Sequence, residues 1–462
     1  MPEFHAEPYL HLPALTHKAA LIAWGGFYFK VRGKDLEGRW KLVDDSDLEH
    51  VHPPRHESIG ARSEPYGNAV VEVWDTSGIL AGGAQTSTAN HVWINGLLPD
   101  TEYTYSVTID GDVWGGGERR DWVANGQQQG LLKSGREYLN RFRTHPHPET
   151  AAPVTFAVLG DFGTGVRKPS RPQRRQREVA LALERAVAKF DVRLILTTGD
   201  NIYAGKRFLG IPIGDTGDED DDWFFSYYQP YRYLLNRIPV YPSVGNHDSG
   251  ETEQSDDRQQ LLDNFYLKER LAEDLLAGRA SIDPGVFYRF CIGKDVEFIC
   301  VDTSKRSILS GDRHFRHGNH AAFLASSFAA GGARWRIPFF HHPPYCAGPV
   351  HHNSRSIIQF LVPLFQSGGV RAAFCGHEHN FQHCRVGGID YFVTGGGGKV
   401  RESPPSRFVD AGTVSWAAVA HFLIVRVENG SMTVLALDER GDELARLGPD
   451  GTRISDAMAI QG

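Results

Sequence analysis

From residue 154 onward the chain repeats one short grammar: an apolar run, a sharp break, then a side chain able to bind a metal. Val154–Leu159 is followed by Gly160-Asp161, Leu194–Thr198 by Gly199-Asp200, and Val240–Val244 by Gly245-Asn246-His247-Asp248. Trp335–Phe340 runs into His341-His342, and Arg371–Phe374 leads to Gly376-His377-Glu378-His379. Runs without polar alternation are what strands buried on both faces look like. Between the first two runs, Ala180, Leu183, Val187 and Phe190 recur at helical spacing within Gln173–Phe190, which predicts a β–α–β unit. In open α/β sheets, ligands collect beyond the carboxyl ends of the strands, so five strand ends can serve one crevice. The glycines ahead of Asp161, Asp200, Asn246 and His377 read as places where the backbone turns sharply.

The first 145 residues obey a different rule. Asn68–Thr76, His91–Ile94 and Glu102–Ile109 alternate apolar and polar residues, as half-buried strands do. Asp110-Gly111-Asp112 reads as a hairpin turn, and Tyr138–Thr144 as a closing strand before the proline-containing linker His145–Pro148. The stretch Gly96–Tyr105, with Leu98-Pro99-Asp100-Thr101 leading into Tyr103-Thr104-Tyr105, resembles the fibronectin type III pattern. Residues 1–67 fit that pattern less clearly. The expected division is 1–147 for a β-sandwich and 148–462 for an α/β domain. The C-terminal strands His421–Val427 and Ser431–Leu437 flank an Asn429-Gly430 turn, and the acidic run Asp218–Asp222 reads as a solvated loop.

Composition narrows the class. A net charge of −7 gives no basic footprint for nucleic acid, and 41% apolar residues suffice for a large core. No apolar run approaches the roughly 20 residues of a membrane span. Met1–Leu12 lacks the basic start and apolar middle of a secretory signal, so a cytoplasmic location is favoured, with export retained if the sequence is a mature form. Five cysteines, all beyond residue 290, read as buried small hydrophobes rather than a disulfide framework.

Taken singly, each strand-end residue has an ordinary reading. Asp161 and Asp200 serve equally well as helix N-caps, and a lone histidine is usually structural. The ordered set Asp161, Gly-Asp-x-x-Tyr at 199–203, Gly-Asn-His-Asp at 245–248, His-x-Pro at 341–343 and Gly-His-x-His at 376–379 does not share that reading. Together it holds oxygen and imidazole donors for two metals. These motifs resemble the calcineurin-like metallophosphoesterases and, within them, the purple acid phosphatases. Two features select that branch: Gly163 stands where most of the superfamily has the histidine of Asp-x-His, and Tyr203 supplies a phenolate instead. A charged phenolate oxygen suits Fe(III), and the Tyr–Fe(III) charge-transfer band colours that family.

The resemblance implies an αββα metallophosphoesterase sandwich behind the β-sandwich. It also implies Fe(III) on Asp161, Asp200, Tyr203 and His379, and a divalent Fe, Zn or Mn on Asp200, Asn246, His341 and His377. Asp200 bridges. His247 is expected to protonate the leaving group and Asp248 to orient that imidazole. Asn246, His351 and His352 are expected at the substrate, with Tyr345 and Asn201 as either lining or scaffold, and His342 as a residue backing the ligands or walling the site. The implied activity is hydrolysis of a small phosphate monoester by a metal-activated hydroxide. A phosphodiesterase on the same core and a non-catalytic metal-binding protein are the alternatives. Substrate choice is expected in the loops 204–237 and 303–334. The sequence leaves open self-association and the role of the sandwich.

Overall fold

The computed structural model describes residues 3–28, 39–42, 65–126, 128–203, 207–208, 211–212, 222–248, 257–270, 287–304, 313–329 and 331–462. Residues 218–221, most of the acidic run, and parts of both loops expected to set specificity lie outside them.

The N-terminal part is all β. Glu3–Leu15 pairs with Ala19–Tyr28, which pairs with His91–Asn95; the facing sheet runs Leu80–Thr86, Ala69–Asp75, Glu102–Ile109, Arg141–Arg143. Leu10, Ile22 and Trp24 of one sheet bury against Val71, Val73, Tyr105 and Phe142 of the other. The hydroxyl of Tyr103 accepts a hydrogen bond from Leu98 N at 2.9 Å. That is the tyrosine corner of immunoglobulin-like sandwiches, an architecture shared with fibronectin type III. The strand Glu3–Leu15 escapes sequence reading because Pro8, Pro13 and two histidines interrupt its alternation. Asp110 and Gly111 make the hairpin turn with φ of 49° and 96°, and Asp112 already belongs to the returning strand.

From Val154 the chain builds two packed sheets. The first has the order Val240–Pro242, Ile195–Thr197, Val154–Leu159, His421–Glu428, Ser431–Asp438, Met458–Gln461. Its first three strands are parallel. The second contains the parallel run Val296–Cys300, Trp335–Phe339, Ala372–Cys375, Ile389–Thr394. Phe156 of the first sheet meets Phe298 and Phe374 of the second edge-on, with centroids 5.0 and 5.8 Å apart. Helix Arg171–Phe190 covers one outer face, burying Val179, Ala180, Leu183 and Val187. Helices Gly318–Ser327, Arg355–Phe360 and Val362–Ser367 cover the other. Helices outside, sheets inside: this is the expected αββα sandwich. No helix among the described residues is long and apolar enough to cross a membrane.

Three expectations change. Asp222 is not solvated: it is buried, ion-paired with Arg167 at 3.1 Å, and accepts from Phe224 N. Residues 223–235 are no specificity loop but helix buried against the sandwich, where the guanidinium of Arg232 reaches Glu7 (2.7 Å), Pro8 O, Arg120 O and Tyr138. Four cysteines are buried as expected, but Cys291 is exposed.

Candidate metal centre

All five strand ends open on the same edge of the two sheets, and their donor atoms meet there. Three of the donors, Asp161, Asp200 and His377, hold the left-handed backbone region with φ of 53°, 50° and 71°. For residues other than glycine this region costs energy and marks functional sites. The preceding glycines therefore act differently from the turning role expected of them. Of the four, only Gly199 has a positive φ. At Gly376 the constraint is space, since a Cβ would strike the Asp161 carboxylate and the Thr198 carbonyl.

One group of donors is Asp161, Tyr203 and His379. The Tyr203 hydroxyl lies 3.4 Å from Asp161 Oδ1 and 3.3 Å from His379 Nε2, and His379 Nε2 lies 3.4 Å from Asp161 Oδ1. Ligands that share an ion at about 2.1 Å stand about 3.0–3.4 Å from one another. The second group surrounds His341. Its Nδ1 meets the Thr198 carbonyl at 2.8 Å, which fixes the proton there and leaves Nε2 a bare lone pair. That lone pair faces Asn246 Oδ1 at 2.9 Å, His377 Nδ1 at 3.1 Å and Asp200 Oδ1 at 3.5 Å. Acceptors packed this closely repel one another unless a cation lies among them. The residues fit two metal ions.

Electrostatics say the same. Burial, reinforced by the Asp200 charge, pushes the Asp161 carboxyl well above its ordinary range. Burial also opposes ionised Asp200, yet His341 and His247 beside it hold its carboxyl low. Burial drives His377 and His379 far down, so both are neutral ligand-type imidazoles. Burial and the Asp161 charge raise the Tyr203 phenol, a cost that a bound cation reverses.

Around this core the other expected residues separate. His247 packs on the Tyr203 ring at 4.6 Å and donates its backbone N–H to Asp200 Oδ1 at 3.0 Å. Asp248 does not orient it. The Asp248 carboxylate takes five hydrogen bonds, from Asn201 N twice, Asn201 Nδ2, Ile202 N and Gly245 N, and none from His247. Asn201 is thus fully buried scaffold. His351 joins the site, stacked on His377 with centroids 3.7 Å apart. His352 sets its ring against Gly348, and among the described residues no hydrogen bond ties it to the cluster. His342 backs the ligands: its ring is 4.3 Å from that of His377, and its Nδ1 is 3.2 Å from Thr303 Oγ1. Tyr345 packs against Tyr391, with ring centroids 5.2 Å apart and planes tilted by 59°.

Three residues escape sequence reading. Glu378, the variable position of Gly-His-x-His, is fully buried and accepts from Val350 N, His351 N and Arg401. Arg401 and Lys399 follow the strand Ile389–Thr394, whose run into Gly395–Gly398 repeats the strand-end grammar with cations in place of ligands.

Residues 154–381 match the family described as calcineurin-like phosphoesterase. The chain carries a calcineurin-like phosphoesterase domain. Among the relatives of this phosphoesterase chain, Purple acid phosphatase 4 of Arabidopsis thaliana is 23% identical over 316 residues, covering 65% of this chain and 84% of that protein. Tartrate-resistant acid phosphatase type 5 of Rattus norvegicus is 25% identical over 312 residues, covering 64% and 89%. In fold, the chain is similar to a purple acid phosphatase from yellow lupin seeds, with a TM-score of 0.55 at 14% identity over 98% of this chain and 74% of that one. It is equally similar to the structure of PhoD, with a TM-score of 0.57 at 11% identity over 97% and 91%.

Proposed function

We propose that this chain is a metal-dependent phosphatase of the purple acid phosphatase kind, hydrolysing phosphate monoesters with an Fe(III)–M(II) pair in which M is Fe, Zn or Mn. The observation that carries this reading is the Tyr203 hydroxyl set 3.3–3.4 Å from both Asp161 and His379, beside a second donor group on His341. Asp161, Tyr203 and His379 would hold the first metal and Asn246, His341 and His377 the second, with Asp200 available to both. When bound, the pair supplies charge to neutralise the phosphoryl oxygens and lowers the pKa of water enough to make it nucleophilic.

The chain's own groups do the rest. Thr198 O keeps His341 in the tautomer that offers Nε2. His247, held against Tyr203, donates a proton to the departing oxygen. Asp248 ties the loops of Asn201 and Gly245 so that Asp200 and Asn246 keep their spacing. His351 forms the wall beside His377 and faces the substrate.

The test is the kcat/KM ratio for an aryl phosphomonoester against the matching diester, with iron and zinc bound, and with His341→Ala as control. Monoester preference at acidic pH together with about two metals per chain supports the reading. Diester preference moves the activity to phosphodiester cleavage, and parity with the control sinks the catalytic reading.

A further inference from the structure

The seam between the sandwich and the phosphoesterase sheets holds a cavity of about 510 Å³. Small-molecule sites of roughly 300–1,000 Å³ are found preferentially at such domain interfaces. Three parts of the chain wall it: Leu15 and Trp93 of the sandwich, His145 and Pro146 of the linker, and Arg270 and Phe290 of the phosphoesterase domain. No lining residue belongs to the metal centre.

Two buried polar side chains in that lining keep unused hydrogen-bonding capacity. Arg270 is 4% exposed; Nη1 donates to Val240 O at 2.8 Å and Nη2 to Phe265 O, while Nε has no partner. Among the described residues no carboxylate forms an ion pair with it, and burial lowers its pKa. His145 is also 4% exposed, and neither ring nitrogen has a hydrogen-bond partner. Burial, with the Arg193 charge beside it, brings the His145 pKa down to about 3, so the ring is neutral and offers one N–H and one lone pair. Buried polar groups left unmet in this way are rare. The lining carries three cations, Lys18, Arg270 and Arg289, against the single carboxylate of Glu297. That carboxylate is already held by Arg336 at 3.5 Å and Arg289 at 3.7 Å.

An inorganic anion would meet the charge and leave the apolar walls wet, whereas a neutral apolar molecule would do the reverse. We propose that this seam is a binding site for a small organic carboxylate with an apolar, ring-sized body, whose oxygens accept from Arg270 Nε and the His145 N–H. Such a ligand touches the sandwich, the linker and the phosphoesterase domain together, so it fastens them to one another.

The test titrates 2-naphthoate calorimetrically into the full-length, metal-loaded protein. One equivalent binds, and 2-naphthalenemethanol, which keeps the rings and loses the charge, binds about tenfold more weakly. Cys291 supplies a readout that needs no substitution. It is exposed and lines the cavity, so bound naphthoate slows its modification by N-ethylmaleimide, followed by mass spectrometry. His145→Phe keeps the ring's bulk and breaks no side-chain hydrogen bond of the fold, yet weakens naphthoate about fivefold and leaves the alcohol unchanged. Absence of binding, or equal affinity for acid and alcohol, overturns the site. Naphthoate held at the metals instead would leave Cys291 unprotected and the His145→Phe affinity at the wild-type value, which overturns it as well.

Discussion

Tyr203 and Gly163 are joined by a backbone hydrogen bond, Tyr203 N to Gly163 O at 3.1 Å, and Gly163 N in turn donates to Asp200 O at 3.2 Å. The glycine that replaces the histidine of the first motif thus touches the loop that brings in the phenol. A Cβ at 163 would collide with the backbone of Asn201 and Ile202. The position of the phenol depends on the absence of a side chain at 163. Gly163→Ala is therefore expected to displace Tyr203 and lower iron retention by about tenfold, the scale of a disturbed metal site. Metal analysis after dialysis checks it, and full iron occupancy in the variant would falsify the coupling.

Tyr203→Phe keeps the ring against His247 and removes only the oxygen near Asp161 and His379. The visible charge-transfer band of the iron-loaded protein should vanish while part of the turnover survives. An unchanged band would show that iron is held elsewhere.

His247 and Asp248 are sequence neighbours with opposite assignments. His247→Ala should leave metal content intact and lower kcat by about 10²–10⁴-fold, the usual worth of a general acid. Asp248→Ala should instead strip acceptors from three buried backbone amides, costing about 3 kcal/mol or more of stability, and release metal with activity. Chemical denaturation and metal analysis on both variants separate the roles. Equal metal loss from the two would contradict them.

Arg232 is the pin between the sandwich and the phosphoesterase sheets, 3% exposed and ion-paired with fully buried Glu7. Arg232→Met removes the closer of the two ion pairs to that carboxylate and leaves it Arg119 at 3.6 Å, at a cost of about 3 kcal/mol. Glu7→Gln with Arg232→Met should recover part of the loss. A guanidinium titration of the single and double variants would show it, and strict additivity would mean the pair does not act as a unit.

His421 carries an acid-linked cost. Its Nδ1 meets Val419 O at 2.9 Å, and burial lowers its pKa to about 4. An unfolded histidine titrates near 6.5. Below that pH the unfolded chain takes a proton the native site refuses, so stability is whole above pH 6.5 and falls as pH drops toward 4. Between pH 7 and pH 5 the loss from this one residue is about 2 kcal/mol. His421→Gln should flatten the wild-type pH dependence by that amount in denaturant midpoints. Identical slopes would mean the ring is protonated in the fold.

The sequence by itself determined the strand-end grammar. Apolar runs such as Val154–Leu159, read with the donors that follow them, carry both the parallel sheets and the seven candidate ligands, because burial on two faces and a break after the strand are local properties of the chain. Alternation in Glu102–Ile109 likewise announced the sandwich, whereas Glu3–Leu15, broken by prolines, did not. Tertiary structure alone decided which strand ends meet. It turned Asp248 from its neighbour His247 toward Asn201, forty-seven positions away in the chain, and drew Glu378 to Arg401 across twenty-three. It buried Asp222, where charge suggested solvent, and Arg232, where a specificity loop was expected. Those outcomes depend on contacts between remote segments, where a buried charge or amide must find whichever partner the fold places opposite it, and no periodicity in the chain records that partner.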